Sequence, residues 1–179
     1  MERAPFFFAV AAAAVLLLFR RPSKNFTWAE LTTTNTGLQN EPNLEQRVRL
    51  ILLAREVLQP LRNRFGAIRV TSAFRSGKVN EAVDGAGGDC VRSDQNTKCS
   101  YHTTGSAVDL VSLEGASLEQ MASWLYGQHQ MPLDEVIIEP TWLHISRGSQ
   151  GAPGKRKFLI SRDGKTFLPW EPAFPMVVS

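Results

Sequence analysis

The sequence contains little histidine and little cysteine, with three and two residues respectively among 179. Because it has neither a Cys-x-x-Cys pair nor a third thiol, it argues against a zinc site built from cysteines. It also lacks a Lys/Arg run interleaved with aromatic residues, so nothing in it indicates nucleic-acid binding. The net charge of +3 is compatible with simple solubility or with attraction to an anionic envelope polymer.

Charged residues are absent from positions 4–19, which include the apolar run from Phe6 to Phe19. This run is shorter than the roughly 20 residues that span a bilayer comfortably, and its length is typical of a signal-peptide core or a short anchor. Because no small-x-small cleavage site follows Phe19, we expect an uncleaved N-terminal hydrophobic helix that associates with a membrane. A buried helix of a soluble protein is the alternative.

The flanks of this segment and the cysteines give opposite indications of location. Basic residues at 20, 21 and 24 favour a cytoplasmic domain by the positive-inside rule. Cys90 and Cys99, in contrast, bracket a segment rich in Gly, Asp, Ser and Asn, and a disulfide between them would imply an oxidising compartment. Such a crosslink would contribute roughly 2–3 kcal/mol to the free energy of unfolding. Two free thiols in a reducing compartment are the alternative.

Length and composition predict one folded domain. We divide the chain into a hydrophobic signal or anchor segment at 1–21, a polar linker and docking segment at 22–42, and a domain at 43–179. No internal repeat is visible.

Capping residues and periodicity predict an α+β fold. Asn43 and Ser117 each precede a helix and have Gln three residues later, which is a capping box, and Gly66 and Gly127 end these helices. Pro60 should kink or end the first one. The predicted core face of the first helix comprises Leu44, Val48, Ile51, Leu52, Leu58, Leu61 and Phe65.

Alternating and β-branched segments predict a mostly antiparallel sheet with helices packed on one side. We expect strands at 68–73, 106–110, 135–139, 142–146, 158–161 and 166–168, a short helix at 78–83 and a loop at 84–98.

The most informative residues are His102, Asp109 and His144. On the two strands that carry Asp109 and His144, alternation places the aliphatic residues on the opposite face, so each strand can present its polar residue to a cleft. Gly105 permits a turn that brings His102 back towards Asp109. Two imidazoles and one carboxylate fill three corners of a zinc tetrahedron and leave the fourth for water. Zinc lowers the pKa of such a water to about 7, which makes it a nucleophile suited to amide hydrolysis.

These residues also carry a resemblance. The pattern Ser-x-His-x-x-Gly-x-Ala-x-Asp, followed by Trp-x-His, resembles the zinc D-Ala-D-Ala carboxypeptidase family, which includes phage endolysins and shares its fold with the hedgehog signalling domain. The stretches 26–31, 57–61, 69–76 and 79–80 are similar to the opening of the same domain. The resemblance covers about residues 26–147 and implies a hedgehog/DD-peptidase-like fold, with the two histidines and the aspartate as ligands of Zn²⁺.

By this resemblance, Arg75 is the arginine that faces the substrate's carboxylate, with pairing to a local acid as the alternative. The same resemblance implies that Glu139 is the general base that accepts a proton from water and delivers it to the leaving amine, with a strand-end carboxylate facing solvent as the alternative. The chain departs here from the carboxypeptidase pattern, because the position three residues before His144 holds Thr141, whereas Glu139 lies five residues before it. Ser100 and Trp142 are further candidates for substrate binding.

The resemblance implies a zinc metallopeptidase that hydrolyses peptidoglycan stem peptides, of either the carboxypeptidase or the endolysin type. We expect a monomer, anchored in the membrane or exported, with its domain facing the periplasm or the cell wall. The alternative is a non-catalytic zinc-containing module that binds the cell wall or a protein, such as a virion component.

Overall fold

The computed structural model describes residues 20–85, 100–148 and 154–173. Their helical elements are α1 (Trp28–Thr32), α2 (Leu44–Leu53), a π-helical turn (Ala54–Leu58), α3 (Gln59–Phe65), α4 (Gly77–Ala82) and α5 (Leu118–Gly127). Their strands are β1 (Ile68–Ser72), β2 (Ala107–Ser112), β3 (Leu133–Ile138), β4 (Leu143–Arg147), β5 (Lys157–Ile160) and β6 (Leu168–Pro169).

The strands form one sheet in the order β1-β2-β4-β3-β5-β6. β3 and β5 are parallel, and the other neighbouring pairs are antiparallel. The predicted α+β class and mostly antiparallel sheet are therefore confirmed. The predicted terminal hairpin is formed by β5 and β6.

The two faces of the central strands have different surroundings. Val108 and Leu110 of β2 and Leu143 and Ile145 of β4 are fully buried in the core, together with apolar residues of the helices. Asp109 lies directly opposite His144 across the β2–β4 pair, and alternation turns both side chains to the other face. This register places two of the predicted ligands side by side.

The segment before α2 contributes to the same core. Thr27 forms a capping box with Glu30 at the start of α1, and Phe26 and Leu31 are buried. The backbone N–H of Phe74 donates to the Leu31 carbonyl at 2.9 Å, which ties α1 to the end of β1. The chain division at residue 43 stays a prediction.

The capping boxes at Asn43 and Ser117 are present as predicted. The predicted core face of the first helix is partly wrong, because Leu44 and Val48 are 70% and 37% exposed and Leu52 is only half-buried. Residues 50–53 are apolar at every position, so helical periodicity alone does not show which face of the helix packs against the sheet. The fully buried stripe comprises Leu50, Leu53, Ala54, Val57, Leu58 and Leu61.

Pro60 lies inside helical structure, which it does not end. It has no N–H to donate to the Glu56 carbonyl four residues earlier, and the distortion expected of a proline is accommodated by the π-helical turn just before it. The helical run therefore continues to Phe65, and Gly66 ends it with a φ of 73°.

Three predictions fall wholly or mostly on residues outside the described ranges. These are the N-terminal hydrophobic helix within 1–19, the loop at 84–98 and the disulfide between Cys90 and Cys99. Among the helices that the structure does describe, none has the length and apolar character needed to cross a membrane.

Candidate metal centre

The structure brings His102, Asp109 and His144 together. One ligand atom from each residue can be chosen so that all three atoms lie within 4.8 Å of one another. Asp109 comes from the middle of β2 and His144 from β4, while His102 comes from the turn that precedes β2. His102 and Asp109 are 5% and 6% exposed, so the centre lies at the buried end of its cleft.

A tight turn at 100–105 positions the side chain of His102 in the centre. The N–H of Gly105 donates to the His102 carbonyl at 3.2 Å, and the N–H of Ser106 donates to the Tyr101 carbonyl at 2.9 Å. Gly105 has a φ of 75°, a conformation that glycine adopts without steric cost. The side chain of Gln46 donates to the Thr103 carbonyl at 2.9 Å and so joins the turn to α2.

The hydrogen bonds of His102 define its tautomer. Its Nδ1 lies 2.6 Å from the Ala73 carbonyl, which can only accept, so Nδ1 carries the hydrogen. Burial lowers the pKa of His102, so the ring is neutral at pH 7 and Nε2 has a free lone pair. That lone pair faces Oδ1 of Asp109 at 3.4 Å, an arrangement of two acceptors that a cation between them would stabilise.

Asp109 contacts both candidate histidine ligands and Arg75. Its Oδ1 lies 2.8 Å from Nδ1 of His144, and its Oδ2 accepts a hydrogen bond from Nη2 of Arg75 at 2.7 Å. Burial raises the pKa of Asp109, but its close contacts with the imidazole rings of His102 and His144 outweigh burial and hold this pKa well below its usual range. The carboxylate is therefore ionised at neutral pH, as a metal ligand must be.

The donor set fits zinc in its chemistry and spacing. Zinc binds imidazole nitrogen and carboxylate oxygen at about 2.0–2.1 Å in a tetrahedron, whose neighbouring ligand atoms are about 3.3 Å apart. The separations of 2.8 and 3.4 Å from Oδ1 of Asp109 to the two imidazole nitrogens bracket that value. Three protein ligands leave a fourth position towards the cleft.

Arg75 lies beside the centre and is fixed by several contacts. Besides its bond to Asp109, its Nε donates to Oγ of Ser72 at 2.8 Å, and its backbone N–H donates to the His102 carbonyl at 3.3 Å. The pairing with a local acid, which is the alternative considered for this residue, is thus present. The side chain keeps 18% of its surface exposed and lines the cleft, so contact with a substrate carboxylate stays a prediction.

Glu139 follows directly after β3 and reaches the same cleft. Its backbone N–H donates to the Trp142 carbonyl at 3.0 Å, which closes the turn between β3 and β4. Its Oε2 is buried and has no hydrogen-bond partner among the described residues. Burial raises the pKa of Glu139, and the charge of Asp109 adds to this effect while His144 opposes it. Thr141, at the alternative position, is exposed.

The cleft has a volume of about 1050 Å³ and is open to solvent. Ser100 and Trp142 line it, as expected for the predicted substrate-binding residues, although their role is untested. Sequence reasoning missed other lining residues, namely Asp134, Glu135, Lys155 and Lys157. Alternation along β3 could have placed Glu135 and Ile137 on one face, but the pairing of β3 with β5 has no signal in the sequence.

Comparison with known proteins gives one match to a family. The model of the family Peptidase M15 matches residues 24–146, which include the three candidate ligands, Arg75 and Glu139. No curated protein matches the chain.

Proposed function

Since the chain belongs to the Peptidase M15 family, a family of zinc-dependent metallopeptidases, we propose that it hydrolyses peptide bonds in peptidoglycan stem peptides. The observation that supports this most directly is the His102, Asp109 and His144 cluster at the buried end of an open cleft. Glu139 lines the same cleft, and its Oε2 has no hydrogen-bond partner among the residues that the structure describes.

The metal would be held by Nε2 of His102, a carboxylate oxygen of Asp109 and Nδ1 of His144. Zinc bound there supplies Lewis-acid polarisation of the scissile carbonyl and activation of a water molecule. Ala73 holds the ring of His102 in the required tautomer, and Arg75 holds the far oxygen of Asp109, so both ligands are oriented before any metal arrives.

Glu139 is the proposed proton carrier. Its buried Oε2 has no hydrogen-bond partner within the described part of the chain, so it can accept a proton from the attacking water and deliver it to the leaving amine. A raised pKa suits this role, because a more basic carboxylate accepts a proton from water more readily than an ordinary one does.

Arg75 is the proposed anchor for an anionic group of the substrate. Its contacts with Ser72 and Asp109 fix the guanidinium plane at the cleft wall, and part of the group stays accessible. A planar guanidinium can bind a carboxylate through parallel hydrogen bonds. Ser100 and Trp142, which line the same cleft, would also contact the substrate.

The test is digestion of purified sacculi by the zinc-loaded full-length protein, followed by mass spectrometry of the released fragments. We expect stem-peptide cleavage, and the fragment masses separate carboxypeptidase from endopeptidase activity. Glu139→Gln should lower the rate about 10²–10⁴-fold while zinc is retained. Glu119→Gln, an exposed site in the first turn of α5, is the matched control and should leave the rate unchanged.

The alternative, a non-catalytic zinc module, gives a different result in the same assay. Such a module would bind sacculi without releasing fragments, and Glu139→Gln would leave this binding unchanged.

We further propose that the monomeric protein acts outside the cytoplasm, anchored through residues 4–19, because its substrate lies there. Fractionation of expressing cells, with protease accessibility of the domain, tests this location.

A further inference from the structure

The sheet face that carries the candidate ligands continues into a second row of side chains. Across β2, β4, β3 and β5, the register aligns Asp109, His144, Ile137 and Leu159. Two residues further along, the same register aligns Ala107, Ser146, Glu135 and Lys157. Because side chains two residues apart share a face, this second row also faces the cleft, and both Glu135 and Lys157 line it.

Most other charges in the cleft already have partners. Arg75 pairs with Asp109, Arg147 pairs with Glu56 at 2.7 Å, and Arg49 pairs with Glu45. Asp134 accepts hydrogen bonds from the Tyr101 hydroxyl and, at 2.9 Å, from the backbone N–H of Lys155. The paired side chains of Arg49, Arg147 and Asp134 therefore have little capacity left to bind a charged ligand, whereas Arg75 keeps part of its guanidinium exposed for the anionic group proposed above.

Glu135 and Lys157 differ from these groups. They are neighbours on the parallel strands β3 and β5, yet within the ranges that the structure describes neither side chain forms an ion pair or a hydrogen bond. Glu135 is half-buried, and Lys157 is exposed at the rim with Lys155. The charges of Lys155 and Lys157 help to lower the pKa of Asp134, against its burial, so their field reaches the cleft.

A carboxylate and an ammonium group side by side favour a ligand that carries both charges. A purely anionic or purely cationic group would meet one attraction and one repulsion, whereas a zwitterionic group can satisfy both partners. At strand spacings of about 4.8 Å and 3.4 Å per residue, Glu135 lies about 8 Å and Lys157 about 12 Å from the Cα of His144. Those distances match the end of a long side chain on a substrate residue close to the scissile bond.

We propose that Glu135 and Lys157 form a specificity subsite for a substrate side chain that ends in an ammonium and a carboxylate on one carbon. Glu135 accepts hydrogen bonds from the ammonium group, and Lys157 donates to the carboxylate. A diaminopimelate side chain has this chemistry, while a lysine side chain has only the ammonium group. The proposal rests on the proposed function. Glu135 lies within the family match at 24–146 but Lys157 on β5 lies beyond it, so the match does not supply the pairing of these two residues.

The test compares two synthetic stem peptides with an acetylated amino end and a free C-terminal carboxylate, identical except for diaminopimelate or lysine at one position. The zinc-loaded parent protein should cleave the diaminopimelate peptide with a kcat/KM about tenfold higher. Lys157→Gln should abolish this preference and leave the lysine peptide unaffected. Glu135→Gln should lower kcat/KM for both peptides, because both carry the ammonium group. Lys165→Gln, the same change on an exposed residue outside the cleft, should behave as the parent.

A parent protein with no preference, or a preference that survives Lys157→Gln, would overturn the subsite. Hydrolysis of neither peptide would instead contradict the proposed activity. In that case, calorimetric binding of both peptides to the zinc-loaded Glu139→Gln protein decides the subsite separately. Tighter binding of the diaminopimelate peptide that disappears in the Lys157→Gln double variant supports the subsite, and equal binding overturns it.

Discussion

Arg75 joins the candidate metal ligand Asp109 to the wall of the cleft, so it should influence metal binding as well as substrate binding. Arg75→Gln removes the hydrogen bond to Oδ2 of Asp109 and leaves that buried oxygen unpaired. We expect the zinc affinity to fall about 10–100-fold, as is typical when the partner of a ligand is removed. Competition with a chromogenic chelator measures this change.

Arg69→Gln is the matched control, because Arg69 is exposed on β1 and does not line the cleft. Its zinc affinity should equal that of the parent. An Arg75→Gln protein with unchanged zinc affinity and lower activity would restrict Arg75 to the substrate and contradict its contribution to the metal centre.

Tyr101 supports the neighbouring wall of the cleft through its bond to Asp134. Burial, this hydrogen bond and the charges of Asp134 and Glu135 raise the pKa of Tyr101 to about 12, compared with about 10 in an unfolded chain. Because the folded state holds this proton more tightly, the stabilisation is fully present below about pH 10 and is lost as the pH rises towards about 12.

Tyr101→Phe should therefore lower the free energy of unfolding at about pH 8, and the difference from the parent protein should shrink by about pH 11.5. Urea denaturation of the metal-free proteins at the two pH values measures both differences. If the difference in the free energy of unfolding between the two proteins stays constant with pH, the pKa of Tyr101 is not raised in the folded state.

At the scale of elements, the turn at 100–105 depends on its contact with α2. A Cβ at Gly105 would lie 2.8 Å from the Gln46 carbonyl oxygen, and its φ of 75° is unfavourable for other residues. Gly105→Ala should lower the free energy of unfolding by roughly 1–2 kcal/mol through the backbone conformation alone. The clash should add to this cost and should displace His102, so zinc affinity should fall as well.

Gly115→Ala separates the two effects. Gly115 has a φ of 84°, but a Cβ there meets nothing within 4 Å. Gly115→Ala should therefore lower the free energy of unfolding through the backbone conformation alone and should leave the zinc affinity unchanged. If both variants lose the same stability and both retain zinc, the proposed role of the α2 contact in placing His102 is wrong.

Local signals predicted the elements well, because caps and turns are read from neighbouring residues. Asn43, Ser117 and Gly66 marked helix ends that the structure confirms. The buried face of α2 was not predictable in the same way, since a run of four apolar residues at 50–53 offers several stripes and only the tertiary contacts select one.

At the scale of the whole molecule, the candidate ligands come from different segments that only the fold brings together. His144 lies 35 residues after Asp109, yet the β2–β4 register places them opposite each other. Alternation on each strand predicted the correct faces. The sequence did not predict that Glu135 and Lys157 are neighbours, because their proximity depends on the parallel pairing of β3 and β5, which no short-range pattern indicates.

Because the centre exists only in the folded chain, bound zinc should stabilise the protein. At a free zinc concentration 100 times the Kd, the gain is about 2.7 kcal/mol, and a chelator should therefore lower the melting temperature by about 5–10 °C. Differential scanning calorimetry with and without the chelator measures this shift. His144→Asn should melt at the same temperature in both conditions, and a parent protein that is equally insensitive would argue against a metal in the folded state.

The X-ray absorption spectrum and zinc content of the purified full-length protein test the central claim most directly. We predict one zinc per chain, coordinated by two imidazole nitrogens and carboxylate or water oxygen at about 2.0–2.1 Å. Absence of zinc, or a sulfur shell at about 2.3 Å contributed by Cys90 and Cys99, would contradict a centre built from His102, Asp109 and His144.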